Sequence, residues 1–84
     1  MADILARMHS DPLDWLYRMG VQSEAQIQRF TTSCEYLHAA GLTPEHIRKE
    51  IEKSPVVLDI LTAGDAARAL NMLKAVLPGT FRKP

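Results

Sequence analysis

The residues with the most specific chemistry in this chain are Cys34 and His38, which lie four positions apart. Residues at that spacing project from the same side of a helix, so a thiolate and an imidazole here could share a metal ion. A zinc site takes about four ligands, however, and the remaining imidazoles, His9 and His46, stand at no spacing typical of zinc proteins. We therefore expect a packed thiol beside a half-exposed histidine, with no metal ion and no cofactor.

The carboxylates form no pattern typical of an active site. Asp11 and Asp14 stand at the start of a predicted helix, where they can cap free N–H groups and interact with the helix dipole. Asp59 lies inside the apolar run VVLDILT. A short amphipathic helix would turn it toward water, because burial of an unpaired charge is costly. No nucleophile–base spacing and no glycine-rich phosphate loop accompany these residues, and we predict that the protein is not an enzyme.

The stretch that must position these residues runs from Ser23 to Pro55 and begins with one long helix. Ser23 and Gln26 fit a capping box, in which each side chain satisfies a backbone group of the other residue. Gly41 stands where a helix ends in a left-handed residue, because glycine has no Cβ to clash there. Apolar residues recur between these signals at steps of three and four and so share one side of a helix: Ile27, Phe30, Cys34 and Leu37.

A second, shorter helix follows the glycine turn. Thr43 is a natural N-cap, and Pro44 at the first helical position loses no needed donor. Ile47 and Ile51 supply a narrow apolar seam, and Pro55 ends the helix because it disfavours helical geometry in the preceding residue.

The mostly apolar residues 56–61 can be interpreted as either a buried strand or a short buried helix. Valines favour a strand, but a strand needs a partner and no second candidate exists in the chain. Ser54 as N-cap and Pro55 as first residue favour the helix, which we predict.

The two ends of the chain complete the predicted fold. We predict a short helix over residues 2–9 that alone is marginal, so the N-terminal segment over residues 1–10 could dock loosely. A helix begins at Asp11 and ends at Gly20, a last helix begins at Asp65, and residues 79–84 form a mobile basic tail. We predict a single all-α domain over residues 1–84, a compact bundle of five to six short helices around a long central helix over about 23–40.

The composition limits the classes of function. Ten basic and ten acidic residues cancel, so strong steering toward nucleic acid or a membrane is not expected. One cysteine suits a reducing compartment, and no apolar run approaches the roughly 20 residues that span a bilayer. The N-terminus is too acidic for a targeting peptide, and we expect a cytoplasmic protein.

The turn Gly41-Leu42-Thr43 followed by Ile47 resembles the core of a DNA-binding helix-turn-helix. In that family the glycine makes the turn, the threonine caps the recognition helix and the isoleucine packs inward. The resemblance implies a recognition helix over residues 44–53 whose cations face phosphates or base edges: Arg48, Lys49 and Lys53.

The chain departs from the helix-turn-helix pattern at two positions. Leu37 stands where that family has a small residue for close helix approach, and Glu50 stands where it has a buried apolar residue. A small DNA-binding regulator therefore stays the alternative function.

Two further resemblances concern the helical framework alone. Residues 42–47 with 54–58 resemble one repeat of the mitochondrial transcription termination factors, which stack several such units. Trp15, Gly20 and Phe30, with Thr43, Glu45 and Ile47, resemble parts of a sterile alpha motif. Neither resemblance transfers functional residues to this chain.

Aromatic and methionine side chains cluster at the front of the chain and could form an exposed apolar patch if the first helix docks loosely. Methionine adapts to many partners and tryptophan and tyrosine are good anchors. We therefore predict a non-enzymatic interaction module, a small adaptor, inhibitor or regulatory subunit, whose apolar helical face binds another protein or a second copy as a homodimer. The predicted front patch consists of Ile4, Leu5, Met8, Trp15, Tyr17 and Met19.

Overall fold

The computed structural model of this protein describes residues 3–76, which form six α-helices and no strand. The predicted all-α class is confirmed. The helices are α1 (Asp3–Met8), α2 (Pro12–Arg18), α3 (Glu24–Ala39), α4 (Pro44–Lys53), α5 (Pro55–Thr62) and α6 (Ala66–Val76).

Side-chain caps begin three of the helices where the sequence places them. Ser23 Oγ accepts a hydrogen bond from the Gln26 N–H at 3.4 Å, and Thr43 Oγ1 accepts one from the His46 N–H at 3.1 Å. Asp65 Oδ1 does the same for α6, with the Arg68 N–H as donor at 3.4 Å. These bonds satisfy donors that have no partner within the helix.

The predicted caps Asp11 and Ser54 make no side-chain cap bond. At the first of these positions the Asp11 N–H donates to Nδ1 of His9 at 2.9 Å, so the preceding imidazole satisfies the backbone donor of the cap residue itself. Pro12 and Pro55 open α2 and α5 without a capping side chain, because a fixed φ already suits the first helical position.

Glycines in the left-handed region end α2 and α3 as predicted. Gly20 has φ 96° and Gly41 has φ 117°. After each glycine the chain folds back, with the Val21 N–H donating to the Leu16 carbonyl at 2.9 Å and the Leu42 N–H donating to the Leu37 carbonyl at 3.2 Å. Val21 and Leu42 are buried, which gives each helix end an apolar contact as well as a closed backbone.

Residues 56–61 belong to α5, so the predicted helix is confirmed and the strand interpretation is wrong. Asp59 is exposed, as expected for a short amphipathic helix. The buried side chains of α5 face α3, α4 and α6, and this three-sided contact accounts for its almost wholly apolar sequence. They are Val57, Leu58, Ile60, Leu61 and Thr62.

α3 is the central helix of the bundle, since it contacts α1, α4, α5 and α6. Phe30, Cys34 and Leu37 have no exposed surface, which matches the predicted apolar side. Ser33 is also buried, and its hydroxyl donates to the Leu61 carbonyl at 3.1 Å, which links α3 to the end of α5.

α1 is packed against α4, α3 and α2 rather than loosely docked. Its apolar side fills the space between these helices, because a six-residue helix gains stability only by burying such a side. The predicted mobile tail over 79–84 lies outside the described residues. Within residues 3–76, no helix combines the length and the apolar character needed to cross a bilayer.

Candidate interaction site

The structure corrects the predicted front patch, because four of its six residues are buried within the chain. Ile4, Leu5 and Met8 are 4%, 1% and 3% exposed, and Trp15 is 8% exposed. The patch required a loosely docked α1, whereas the apolar side of α1 is already covered by its neighbouring helices. A partner cannot reach these α1 side chains without displacing the helix.

Tyr17 and Met19, the other two residues of the predicted patch, reach the surface. Tyr17 is 60% exposed and shares its side of α2 with Leu13, which is 44% exposed. Met19 is half-buried and packs against the core. The structure therefore separates Tyr17 from Met19, because Met19 lines a groove and Tyr17 does not.

A groove of about 410 Å³ lies where the end of α2 meets α4 and α5. Four of its lining residues are aliphatic or proline side chains, one is aromatic, and Glu52 alone among them is charged. We call this feature the α2–α4–α5 groove. Its lining residues are Trp15, Met19, Ile51, Glu52, Pro55 and Leu58.

Trp15 is held in a fixed orientation beneath this groove. The His9 ring stacks on its indole, with centroids 5.3 Å apart and planes 8° from parallel. Phe30 meets the indole edge to face at 6.3 Å and 70°. These contacts, together with the bond between His9 Nδ1 and the Asp11 N–H, fix the ring before any ligand arrives. A preorganised aromatic surface loses little conformational entropy on binding.

Sequence reasoning missed Ile51, Pro55 and Leu58 as groove residues. Ile51 belongs to the apolar side of α4, Pro55 begins α5 and Leu58 is a core residue of α5. The local sequence therefore accounts for each residue type without a groove. These three residues lie beside Met19 because α2 packs close to the junction of α4 and α5. No local sequence pattern predicts that packing.

Cys34 is buried in the core and does not form a metal site with His38. Burial raises the pKa of the Cys34 thiol far above its ordinary value, and the Glu35 carboxylate raises it further. A thiol that stays protonated is neither a metal ligand nor a good nucleophile. Among the described residues, no group of three or more His, Cys, Asp or Glu side chains could hold a metal ion.

Both ring nitrogens of His38 face groups of the protein itself. Nδ1 donates to the Leu42 carbonyl at 2.9 Å, since a carbonyl can only accept. That tautomer leaves Nε2 as an acceptor toward Nη1 of Arg7, 3.4 Å away. His38 therefore connects α1, α3 and the turn before α4, which is a structural role.

The three cations of the predicted recognition helix each lie beside a glutamate of the same helix. Arg48 pairs with Glu52 at 3.0 Å, Lys49 with Glu45 at 3.7 Å and Lys53 with Glu50 at 3.5 Å. As a result, α4 carries as many carboxylates as cations and presents no net positive surface. Ile47 is buried as the helix-turn-helix resemblance implies, while the unusual Glu50 is only 7% exposed.

No protein-family model, curated protein or solved structure matches this chain. The functional assignment therefore depends on the geometry of the described residues.

Proposed function

We propose that this protein is a non-enzymatic interaction module that binds an apolar segment of another protein in the α2–α4–α5 groove. The observation that carries the proposal is the groove itself, a concave surface of about 410 Å³ with Trp15 and Met19 among its lining residues. Its size falls within the range of roughly 300–1,000 Å³ found for ligand pockets.

The chemistry of the groove favours a helix with two or three apolar anchors as its ligand. Trp15 is a largely buried, rigid part of the groove lining and Met19 offers an adaptable thioether, a combination suited to apolar side chains of varied shape. Pro55 and Glu52 stand at the surface end of the lining, where a polar rim would meet the polar side of an amphipathic helix. An adaptor, inhibitor or regulatory subunit would use such a contact, and the single buried thiol suits a reducing, cytoplasmic setting.

A matched pair of substitutions at the start of α5 tests the proposal. Pro55→Glu introduces a carboxylate into the groove lining, whereas Val56→Glu introduces the same group one residue later, at a side chain that is 54% exposed and outside the lining. Both positions lie in the first turn, where an acidic residue is favourable for the helix. Both variants should therefore fold, which circular dichroism and thermal unfolding would verify.

Each protein would be immobilised and used to capture partners from cells of its source, followed by titration with the captured protein. We expect wild-type and Val56→Glu to retain the same partner and Pro55→Glu to lose at least about tenfold in affinity, as for an interface anchor. Equal retention by all three proteins would contradict the groove as the binding site.

DNA binding through α4 has weaker support, because Arg48, Lys49 and Lys53 are already paired with glutamates. Affinity for duplex DNA that falls steeply between about 50 and 200 mM salt would reverse this preference, since each phosphate contact releases counterions.

A further inference from the structure

A second groove, of about 480 Å³, lies between α3 and the start of α6. This volume falls within the range of roughly 300–1,000 Å³ found for small-molecule sites. We call this feature the α3–α6 groove, and it shares no lining residue with the α2–α4–α5 groove. Its lining residues are Ala25, Gln28, Arg29, Thr32, Ser33, Tyr36, Gly64 and Ala66.

Arg29 gives the α3–α6 groove a positive charge that no lining carboxylate neutralises, since the described residues of the lining include no aspartate or glutamate. The sequence also has no acidic residue three or four positions before or after Arg29, where a partner on the same helix would stand. Among the described side chains Arg29 takes part in no ion pair, whereas each lysine and arginine of α2 and α4 pairs with a carboxylate of its own helix. The Arg29 guanidinium is therefore available to an external anion.

Gly64 holds the stem of Arg29 in place at one wall of the groove. Gly64 lies in the left-handed region, with φ 84°, in the turn between α5 and α6. An added Cβ at this position would stand 3.5 Å from Cδ of Arg29 and 3.6 Å from Cγ, so the methylene groups lie directly over the glycine. The adjacent carboxylate, Asp65, accepts the Arg68 N–H at the start of α6 and forms no ion pair with Arg29. A stem that is already packed loses less conformational entropy when a ligand binds.

Thr32 and Tyr36 follow Arg29 along the same side of α3. They stand three and seven positions after it, which places them about 4.5 and 10.5 Å further along the helix axis. The Thr32 hydroxyl can donate to an anion beside Arg29, whereas the Ser33 hydroxyl already donates to the Leu61 carbonyl. Tyr36 is 43% exposed and offers an aromatic surface two turns from the cation.

We propose that the α3–α6 groove binds a small molecule that joins an aromatic ring to one carboxylate or phosphate group. The Arg29 guanidinium binds two oxygens of the anion in the bidentate geometry that arginine favours. The Thr32 hydroxyl donates to the same group, and the ring of the ligand packs against Tyr36. This site does not depend on the function proposed for the α2–α4–α5 groove.

Titration followed by NMR locates the site and measures its affinity. The probes are phenyl phosphate and benzoate, with benzyl alcohol as a neutral molecule of similar shape. At about 150 mM salt, which screens distant surface charges, both anions should shift the amide signals of residues 25–36 and 64–66 and reach saturation. Benzyl alcohol should bind at least about tenfold more weakly, because it forms no charge-assisted hydrogen bond. The anion that binds more tightly identifies the carboxylate or the phosphate as the preferred group.

Two pairs of variants test the residues of the site. Arg29→Gln should weaken phenyl phosphate binding by at least about tenfold, whereas Lys74→Gln removes the same charge from an exposed position outside the lining and should leave the affinity unchanged. Tyr36→Ala should weaken binding by about two- to tenfold, the value of an aromatic contact. Tyr17→Ala removes a comparably exposed ring from α2 and should have no effect.

Any of four outcomes would overturn the proposal. They are the absence of saturable shifts over residues 25–36, binding of benzyl alcohol as tight as that of the anions, equal weakening by Arg29→Gln and Lys74→Gln, and equal effects of Tyr36→Ala and Tyr17→Ala. The four substituted side chains are exposed, so each variant should fold, which thermal unfolding would verify.

Discussion

At the scale of single residues, Ser33 shows how a polar group is accommodated in the core. It is 2% exposed, and its hydroxyl donates to the Leu61 carbonyl. That carbonyl also accepts the Gly64 N–H at 3.1 Å, so it keeps a partner if the hydroxyl is removed. The hydroxyl therefore adds one interhelical bond without being required for backbone satisfaction.

The Ser33→Ala variant should accordingly lose about 0.5–1.5 kcal/mol in the free energy of unfolding, the value of a net hydrogen bond. Urea denaturation of the variant and of wild-type measures the difference. Ser10→Ala makes the same chemical change at an exposed position and should stay within about 0.5 kcal/mol of wild-type. A loss of several kcal/mol in Ser33→Ala would indicate that the carbonyl is left without a partner.

The Cys34 thiol should make the free energy of unfolding depend on pH in the alkaline range. The unfolded thiol ionises near 9.0, whereas burial holds the pKa of the folded thiol well above that value. Above that pH the folded state binds more protons than the unfolded state, so the free energy of unfolding falls as pH rises.

The expected slope of that fall approaches about 1.4 kcal/mol per pH unit. Urea midpoints between about pH 8 and pH 10 measure it, with Cys34→Ala as the control that has no thiol to titrate. The stability difference between wild-type and Cys34→Ala should therefore shrink with rising pH. A constant difference would show that the thiol ionises equally in both states.

At the scale of elements, the starts of α4 and α5 offer a direct comparison of capping. Thr43 Oγ1 accepts the His46 N–H at 3.1 Å, whereas Ser54 precedes α5 without any such bond. Thr43→Ala should lower the free energy of unfolding by about 1 kcal/mol, and Ser54→Ala should change it little. Thermal unfolding of both variants measures the two losses of stability. Equal losses would mean that the cap bond of Thr43 does not stabilise the start of α4 more than Ser54 stabilises the start of α5.

Local signals account for the elements that could be predicted from the sequence. The Gly20 and Gly41 ends and the Thr43 cap follow from steric and hydrogen-bonding requirements within a few residues. The absence of a second strand candidate was enough to place residues 56–61 in a helix. The six-helix bundle was therefore predictable, in class and approximate boundaries.

The surface was less predictable than the elements, because exposure depends on contacts between segments far apart in sequence. Whether Leu5 is buried depends on α4, which begins nearly forty residues later. Tyr17 and Trp15 stand two positions apart in one helix, yet one is exposed and the other buried. Nothing in their local pattern separates an exposed aromatic side chain from a buried one.

At the scale of the whole molecule, α1 contributes to global stability, because its apolar side completes the core. Leu5 is 1% exposed, and Leu5→Ala should cost about 2–5 kcal/mol. That is a large fraction of the roughly 4–13 kcal/mol expected for a domain of this length. Urea denaturation measures the loss, with Ala6→Gln on the exposed side of α1 as the control.

Hydrogen exchange gives a second measurement of the same coupling. If α1 unfolds with the bundle, amides of α3 and α4 should exchange faster in Leu5→Ala and by similar factors. A small loss of stability with exchange confined to α1 would instead restore the loosely docked segment that the sequence suggested.

The stack of His9 on Trp15 has a practical consequence for optical measurements. The chain has one tryptophan, and that indole lies among the groove residues between an imidazole and Phe30. Indole emission moves to shorter wavelength when water is removed from its surroundings. At 8% exposure the indole is already shielded from water, so the protein carries its own label-free fluorophore, whose emission should move to longer wavelength when the bundle unfolds.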